Sequence, residues 1–337
     1  MKKFLNDPEN FIDEMLEGLY AAHPEDIMPA EGNLRCLVTK HKKPGKVAIA
    51  TGGGSGHLPL FLGYVGKGML DGCSVGGVFQ SPSSDEMLAV TKEIDNGAGV
   101  LYIYGNYNGD IFNFTMAKEE ADMDDIRVEQ VIAGEDVASG LRVKEGEKNT
   151  RRGVAGIFFV YKVAGAAANE MKTLDEVKAL AEKVAGQTAT MGVAFTPCTV
   201  PRIGHPSFTI GDDEMEIGMG IHGEQGIRRG KLLPADEIVE EMLVPVLDDL
   251  DLKENDEVAI LINGLGATPL EEQYLVNRKV NEMVTGRGLK TYRTYVGEYA
   301  TSLEMSGLSI SVLKLDDEIK HYLDAEADAI MFKQFAK

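Results

Sequence analysis

Tryptophan is missing from this chain, cysteine occurs only three times, and basic residues are in deficit. Cys36, Cys73 and Cys198 are odd in number and far apart, which excludes a disulfide scaffold and a zinc knuckle and points to a reducing, cytoplasmic setting. Lys and Arg total 34 against 54 Asp and Glu, a net charge of −20. Nucleic acid needs a positive footprint, so it is excluded as a direct partner, and the acidic surface serves solubility. The longest apolar run, Val154 to Ala168, is interrupted by Lys162 and falls short of the ~20 residues of a membrane span. The start, MKKFLNDPENF, has two lysines with no apolar stretch behind them and does not read as a signal peptide. With no HExxH and no Cys/His cluster, no metal is expected on this chain.

Glycine, by contrast, is abundant at 38 residues, and the hydrophobic fraction of 44% is enough to fill a core. Asp7 to Ala22 has apolar residues at helical spacing, with Asn6 or Asp7 as N-cap. Lys46 to Thr51, Gly99 to Tyr104, Arg127 to Ile132 and Gly192 to Phe195 read as strands. Ile111 to Glu120, Gly153 to Ala168 and Leu174 to Ala185 read as helices between them. Such alternation predicts an α/β protein. The second half continues with strands at Glu214 to Ile221, Glu257 to Asn263, Thr291 to Val296 and Leu308 to Leu315, and helices at Ile238 to Leu250 and Leu270 to Gly286. Two α/β domains are expected, each with a mostly parallel or mixed sheet flanked by helices: 1–188 and 189–337, with the boundary near Gly186 to Gly192.

Three glycine-flanked loops carry the candidate chemistry. GGGSGH, Gly52 to His57, follows a buried strand, and ligands in open α/β sheets bind beyond the carboxyl ends of the strands. The glycines either let the backbone approach a ligand or serve chain geometry alone. They do not form a phosphate loop, because the Lys and hydroxyl of GxxxxGK[ST] are missing, and Ser55 is not in a GxSxG elbow. In GNYNGD, Gly105 to Asp110, the aspartate either accepts a proton or caps the helix beginning at Ile111. In GIHGE, Gly220 to Glu224, flanking glycines leave His222 uncovered for nucleophilic or proton-transfer work.

These loops, with FLNDPENFIDEML, FQSPSSDEM, RRGVAG, CTVP, HPSFTI, NGLGATPL and TSLEMSGLSISVLKLDDE in one order, resemble the dihydroxyacetone kinase family, specifically its substrate-binding K subunit, over nearly the whole chain. The resemblance implies that His222 adds through a ring nitrogen to the ketone carbon of a short-chain hydroxyketone, forming a hemiaminal. It implies that His57 and Asp110 hydrogen-bond the substrate hydroxyls and deprotonate the one to be phosphorylated. It also implies that backbone amides around Gly54, Ser55 and Gly56 contact substrate oxygen. ADP or ATP with magnesium is implied on a separate L subunit, fed in one branch by a multiphosphoryl transfer protein, and the K subunit is implied to be a homodimer. Some K-like relatives are instead regulators that bind the ketone and activate a transcription factor.

Two departures from the family pattern stand out. Leu58 occupies the place of the glutamate in GGGSGHEP, while Gly105 and Asn108 replace the lysine and threonine of KNYTGD. Loss of a lysine removes a charge and opens volume, so either dihydroxyacetone or a four-carbon ketose such as erythrulose is the expected substrate.

Overall fold

A strand whose side chains are buried on both faces belongs inside a sheet that helices cover twice. Two segments of this kind, AIATGGGS and VLYIYG, are buried at every position. In the computed structural model, which describes residues 2–143 and 149–337, they are neighbouring parallel strands.

The chain divides into two compact units, one comprising Met1–Ala133, Phe158–Val184 and Glu318–Lys337, the other Gly134–Ile157 and Ala185–Asp317. This is not the single cut expected after residue 188. Tertiary pairing decides it: Asp136 bridges Thr190 in the second unit, and Ala327–Ala329 pairs with Gly66–Lys67 in the first.

The first unit is built on a six-stranded sheet. Its strands are β1 (Ile27–Pro29), β2 (Cys36–Thr39), β3 (Ala48–Ser55), β4 (Gly72–Val78), β5 (Val100–Gly105) and β6 (Val128–Ala133). Their spatial order is β1-β2-β4-β3-β5-β6, with β4, β3, β5 and β6 parallel and β1 and β2 joined by antiparallel pairing. Among its helices are α1 (Phe11–Ala22), α2 (Ser84–Ile94), α3 (Asn108–Met123) and α4 (Ile157–Asn169). Met87, Val90 and Ile94 of α2, with Phe114, Ala117 and Ala121 of α3, pack on Ala48, Ala50, Val100, Tyr102 and Tyr104.

Helix α4 is buried almost all round, which accounts for its long apolar run. Its Tyr161 hydroxyl lies 2.8 Å from Thr51 Oγ1, and the buried Lys162 donates to the Tyr322 carbonyl at 2.8 Å. Helix α1 starts four residues later than expected, because residues 8–10 form a turn and Asn10 takes the N-cap position. Helix α2 begins with a reciprocal capping box between Ser83 and Glu86.

The second unit carries a six-stranded mixed sheet. Its strands are β7 (Thr188–Thr196), β8 (Glu214–Ile217), β9 (Arg228–Lys231), β10 (Glu257–Gly264), β11 (Lys290–Gly297) and β12 (Ser306–Lys314), ordered β9-β8-β7-β12-β10-β11. Only β10 and β11 pair in parallel; the other neighbours run antiparallel. The helices Ala235–Asp249 and Leu270–Gly286 pack Met242, Leu243, Val246, Val280 and Val284 against Met191, Val193, Ile260, Ile310 and Val312. The expected α/β architecture is present in both units. Cys36, Cys73 and Cys198 are buried and free. Among the described residues no helix is long and apolar enough to cross a membrane.

Candidate functional site

Because β3, β4 and β5 are parallel neighbours, their carboxyl ends meet at one edge of the first unit's sheet, the edge where open α/β sheets take ligands. GGGSGH leaves from β3 and GNYNGD from β5. Strand β3 runs through the glycines to Ser55 rather than stopping at Thr51. A Cβ on Gly53 would lie 2.3 Å from the Phe61 ring, and one on Gly54 would lie 2.7 Å from the Gln80 nitrogen and 2.8 Å from Phe79 Cα. Both glycines therefore admit neighbouring protein.

What they admit is the frame of His57. This ring is buried, stacks on Phe79 at 4.9 Å and 19°, and meets the edge of Phe61 at 6.2 Å and 81°. Phe61 and Phe79 have φ of 69° and 57°, values that bulky residues adopt only under constraint from their surroundings. Strain placed on the two rings that hold a histidine is the pattern of a functional site. Ser55 donates its hydroxyl to the Gly76 carbonyl at 3.0 Å, and its own carbonyl accepts from the Phe79 N–H at 3.0 Å. That side chain ties β3 to β4. Gly56, at φ +102°, turns the chain toward His57.

The segment that carries Phe79 also steadies the start of α3. Asn113 donates to the Pro82 carbonyl at 2.6 Å, and a Cβ on Gly109 would lie 2.6 Å from Ser81 Oγ. Asp110 is the third residue of α3 and is buried, while the N-cap position belongs to Tyr107. The capping reading of Asp110 is therefore corrected: α3 starts at Asn108, before Ile111, so this carboxylate sits inside the first turn. Tyr104 lies nearby, and its own burial, with the Asp110 charge second, pushes its phenol up. The first unit thus gathers Gly54, Ser55, Gly56, His57 and Asp110 at one sheet edge. Gly105 is the buried last residue of β5.

His222 belongs to the second unit. Strand β8 ends at Ile217, four residues short of the expected Ile221, because Gly218 takes φ +83° and turns the chain away. Gly220 to Gly223 then form a tight turn, with the Gly223 N–H on the Gly220 carbonyl at 3.1 Å. Ile221 is buried and anchors this turn, and the His222 side chain keeps 22% of its surface exposed. Glu224 grips the histidine twice: Oε1 lies 2.8 Å from Nδ1, and Oε2 accepts the His222 backbone N–H at 2.9 Å. Burial would raise the Glu224 carboxyl, but the bond and charge of His222, with backbone donors, outweigh it and hold it at about 2. A carboxylate accepts only, so the proton between them is on Nδ1; in a ring that carries one proton the lone pair is then on Nε2. Ser207 and Phe208, from HPSFTI, lie 3.3 and 3.4 Å from the Cβ position of Gly223. Sequence reasoning missed Glu224 as a partner of His222, although it stands in the same motif. Phe61, by contrast, left no signal, since its role depends on a backbone angle.

In comparisons with known proteins, a family model described as the Dak1 domain matches residues 17–331. The dihydroxyacetone-binding subunit DhaK of PTS-dependent dihydroxyacetone kinase 1 from Listeria innocua is 46% identical over 94% of this chain and 95% of its own length. The D-erythrulose kinase of Mycolicibacterium smegmatis is 39% identical over 100% of this chain, which spans 57% of that relative. The solved structure of the dihydroxyacetone kinase operon co-activator Dha-DhaQ superposes with a TM-score of 0.88 at 30% identity, over 96% of this chain and 98% of that one.

Proposed function

The chain belongs to the Dak1 domain family, and from that membership and the site geometry we propose that it is the substrate-binding subunit of a dihydroxyacetone-type kinase. The observation that carries the reading is the oriented imidazole of His222, held through Nδ1 by the Glu224 carboxylate. The Nε2 lone pair attacks the carbonyl carbon of a short-chain hydroxyketone, and the C=O π pair moves to oxygen. The ring becomes cationic as the bond forms, and Glu224 stabilises that charge. Loss of the Nδ1 proton and uptake of one by the alkoxide oxygen leave a neutral hemiaminal. Polyols such as glycerol have no carbon to attack and are rejected.

His57 and Asp110 are the groups assigned to hydrogen-bond substrate hydroxyls, and one of them takes the proton from the hydroxyl to be phosphorylated. Backbone groups around Gly54, Ser55 and Gly56 complete the substrate contacts. The substrate is dihydroxyacetone or a four-carbon ketose such as erythrulose, which the names of two relatives support. ADP or ATP with magnesium is held by a separate L subunit. The phosphate comes either from ATP directly or from a phosphoenolpyruvate-fed multiphosphoryl protein that recharges bound ADP, and the chain itself works as a homodimer. A second reading, a ketone-binding co-activator of transcription, is favoured by the likeness to Dha-DhaQ.

Intact-mass spectrometry after incubation with dihydroxyacetone or erythrulose tests the covalent step. One ketone is expected on the native chain and none on His222→Ala. A native chain without adduct, or an adduct indifferent to the substitution, ends the proposal. Phosphate transfer on addition of an L subunit separates the kinase from the co-activator: adduct without turnover selects the latter.

A further inference from the structure

RRGVAG takes no part in the reading above, yet its second arginine reaches the histidine turn. Arg152 donates from Nε to Asp136 Oδ2 at 2.8 Å and from Nη2 to the Gly218 carbonyl at 2.9 Å, and Nη2 also pairs with Asp136 Oδ2 at 2.6 Å. Asp136 is itself buried. Two of the three guanidinium nitrogens are thus bound, and the remaining Nη1 lies 2.8 Å from the place a Cβ on Gly220 would take. Glu224 Oε2 lies 2.2 Å from that same point. The cation and the carboxylate face one another across the notch left by the missing side chain.

We propose that Arg152 is a positioning residue, clamped by Asp136 and Gly218, whose charge across the Gly220 notch steadies the Glu224 carboxylate on His222 Nδ1, and that Gly220 must be glycine to leave room for both side chains. Glu224 has two oxygens to direct. Attraction of Oε2 toward Arg152 aims Oε1 at the ring and fixes the tautomer whose lone pair is on Nε2. The guanidinium suits this task because its rigid fork binds Asp136 and a carbonyl on one side while presenting the third nitrogen on the other. The first glycine of GIHGE acquires a reason of its own: Gly220 has no unusual φ, and the atoms nearest an added methyl are side-chain ends of Glu224 and Arg152 rather than backbone. It would displace them at little cost to the fold.

The consequence for ketone addition rests on the proposed role of His222; the consequence for the ring's tautomer does not. Nitrogen-15 NMR of histidine-labelled, ligand-free chain reads the tautomer directly. Native protein is expected to hold the proton on Nδ1, while Arg152→Gln and Gly220→Ala are expected to show a mixture. Native-like spectra in both variants overturn the inference, whatever happens with ketone. In the adduct assay each variant is expected to weaken ketone binding by about tenfold, the lower end for loss of a group that orients a ligating histidine. The loss should vanish when Glu224 is already Gln, since the arginine acts through that carboxylate. A tenfold loss that persists in the Glu224→Gln background would mean that Arg152 supports the fold alone, and would refute positioning. Melting temperatures of Gly220→Ala close to native keep the comparison free of misfolding.

Discussion

Glu135 is a carboxyl that the proposed chemistry does not use, and its burial makes a quantitative prediction. It is 2% exposed, Oε1 accepts the Val154 N–H at 2.9 Å, and Oε2 has no partner. Burial, only partly offset by backbone donors at Val154 and Gly156, pushes it from 4.5 up to about 7. The unfolded chain therefore gives up this proton as pH rises through 4.5, whereas the folded chain keeps it until about 7. Stability is lost across that window and levels off above it. The interval corresponds to roughly 3 kcal/mol, at about 1.4 kcal/mol for each tenfold difference in proton affinity. Glu135→Gln keeps the shape and removes the titration. Urea unfolding of both proteins from pH 4.5 to 8 should show the variant gaining on the native chain by about that amount, since every other titrating group is shared. A stability difference that stays constant over this range would refute the argument.

Three further outcomes follow from packing and capping. Gly54→Ala should cost about 1–3 kcal/mol, as overpacking against fixed atoms does. The new methyl meets the backbone of Phe79 and Gln80, which cannot rotate away. Gly186→Ala, where nothing lies within 4 Å, should be neutral or slightly stabilising in the same thermal denaturation series, and equal losses at the two sites would defeat the explanation. Ser83→Ala removes the hydroxyl that accepts the Glu86 N–H at 3.2 Å and should lower stability by ~1 kcal/mol in urea unfolding, with ketone adduct formation unchanged.

Much of the architecture was legible because hydrophobic periodicity reports burial. The helix expected over Leu270 to Gly286 has those bounds, and the strand expected over Glu257 to Asn263 extends by a single residue. Strand β4 escaped notice. GCSVGGV has few strand-forming side chains, and it is held by pairing with β2 and β3 on its two sides. Polar β9, RRGK, is a strand only because β8 lies beside it. Asp110 could be read as a cap because its residue type is common there; three residues of extra helix put it inside the first turn instead.

The candidate residues for chemistry were visible in the order of amino acids: the histidines between glycines, the aspartate after a buried strand, and the length of the motifs that carry the family likeness. Their partners were not. That Glu224 turns back on His222, that Phe61 and Phe79 hold His57 at unfavourable backbone angles, and that Arg152 reaches the notch at Gly220 depend on distances between atoms brought together by folding. Side-chain identity states what a group can donate or accept; only the closed chain sets who stands within 3 Å of it.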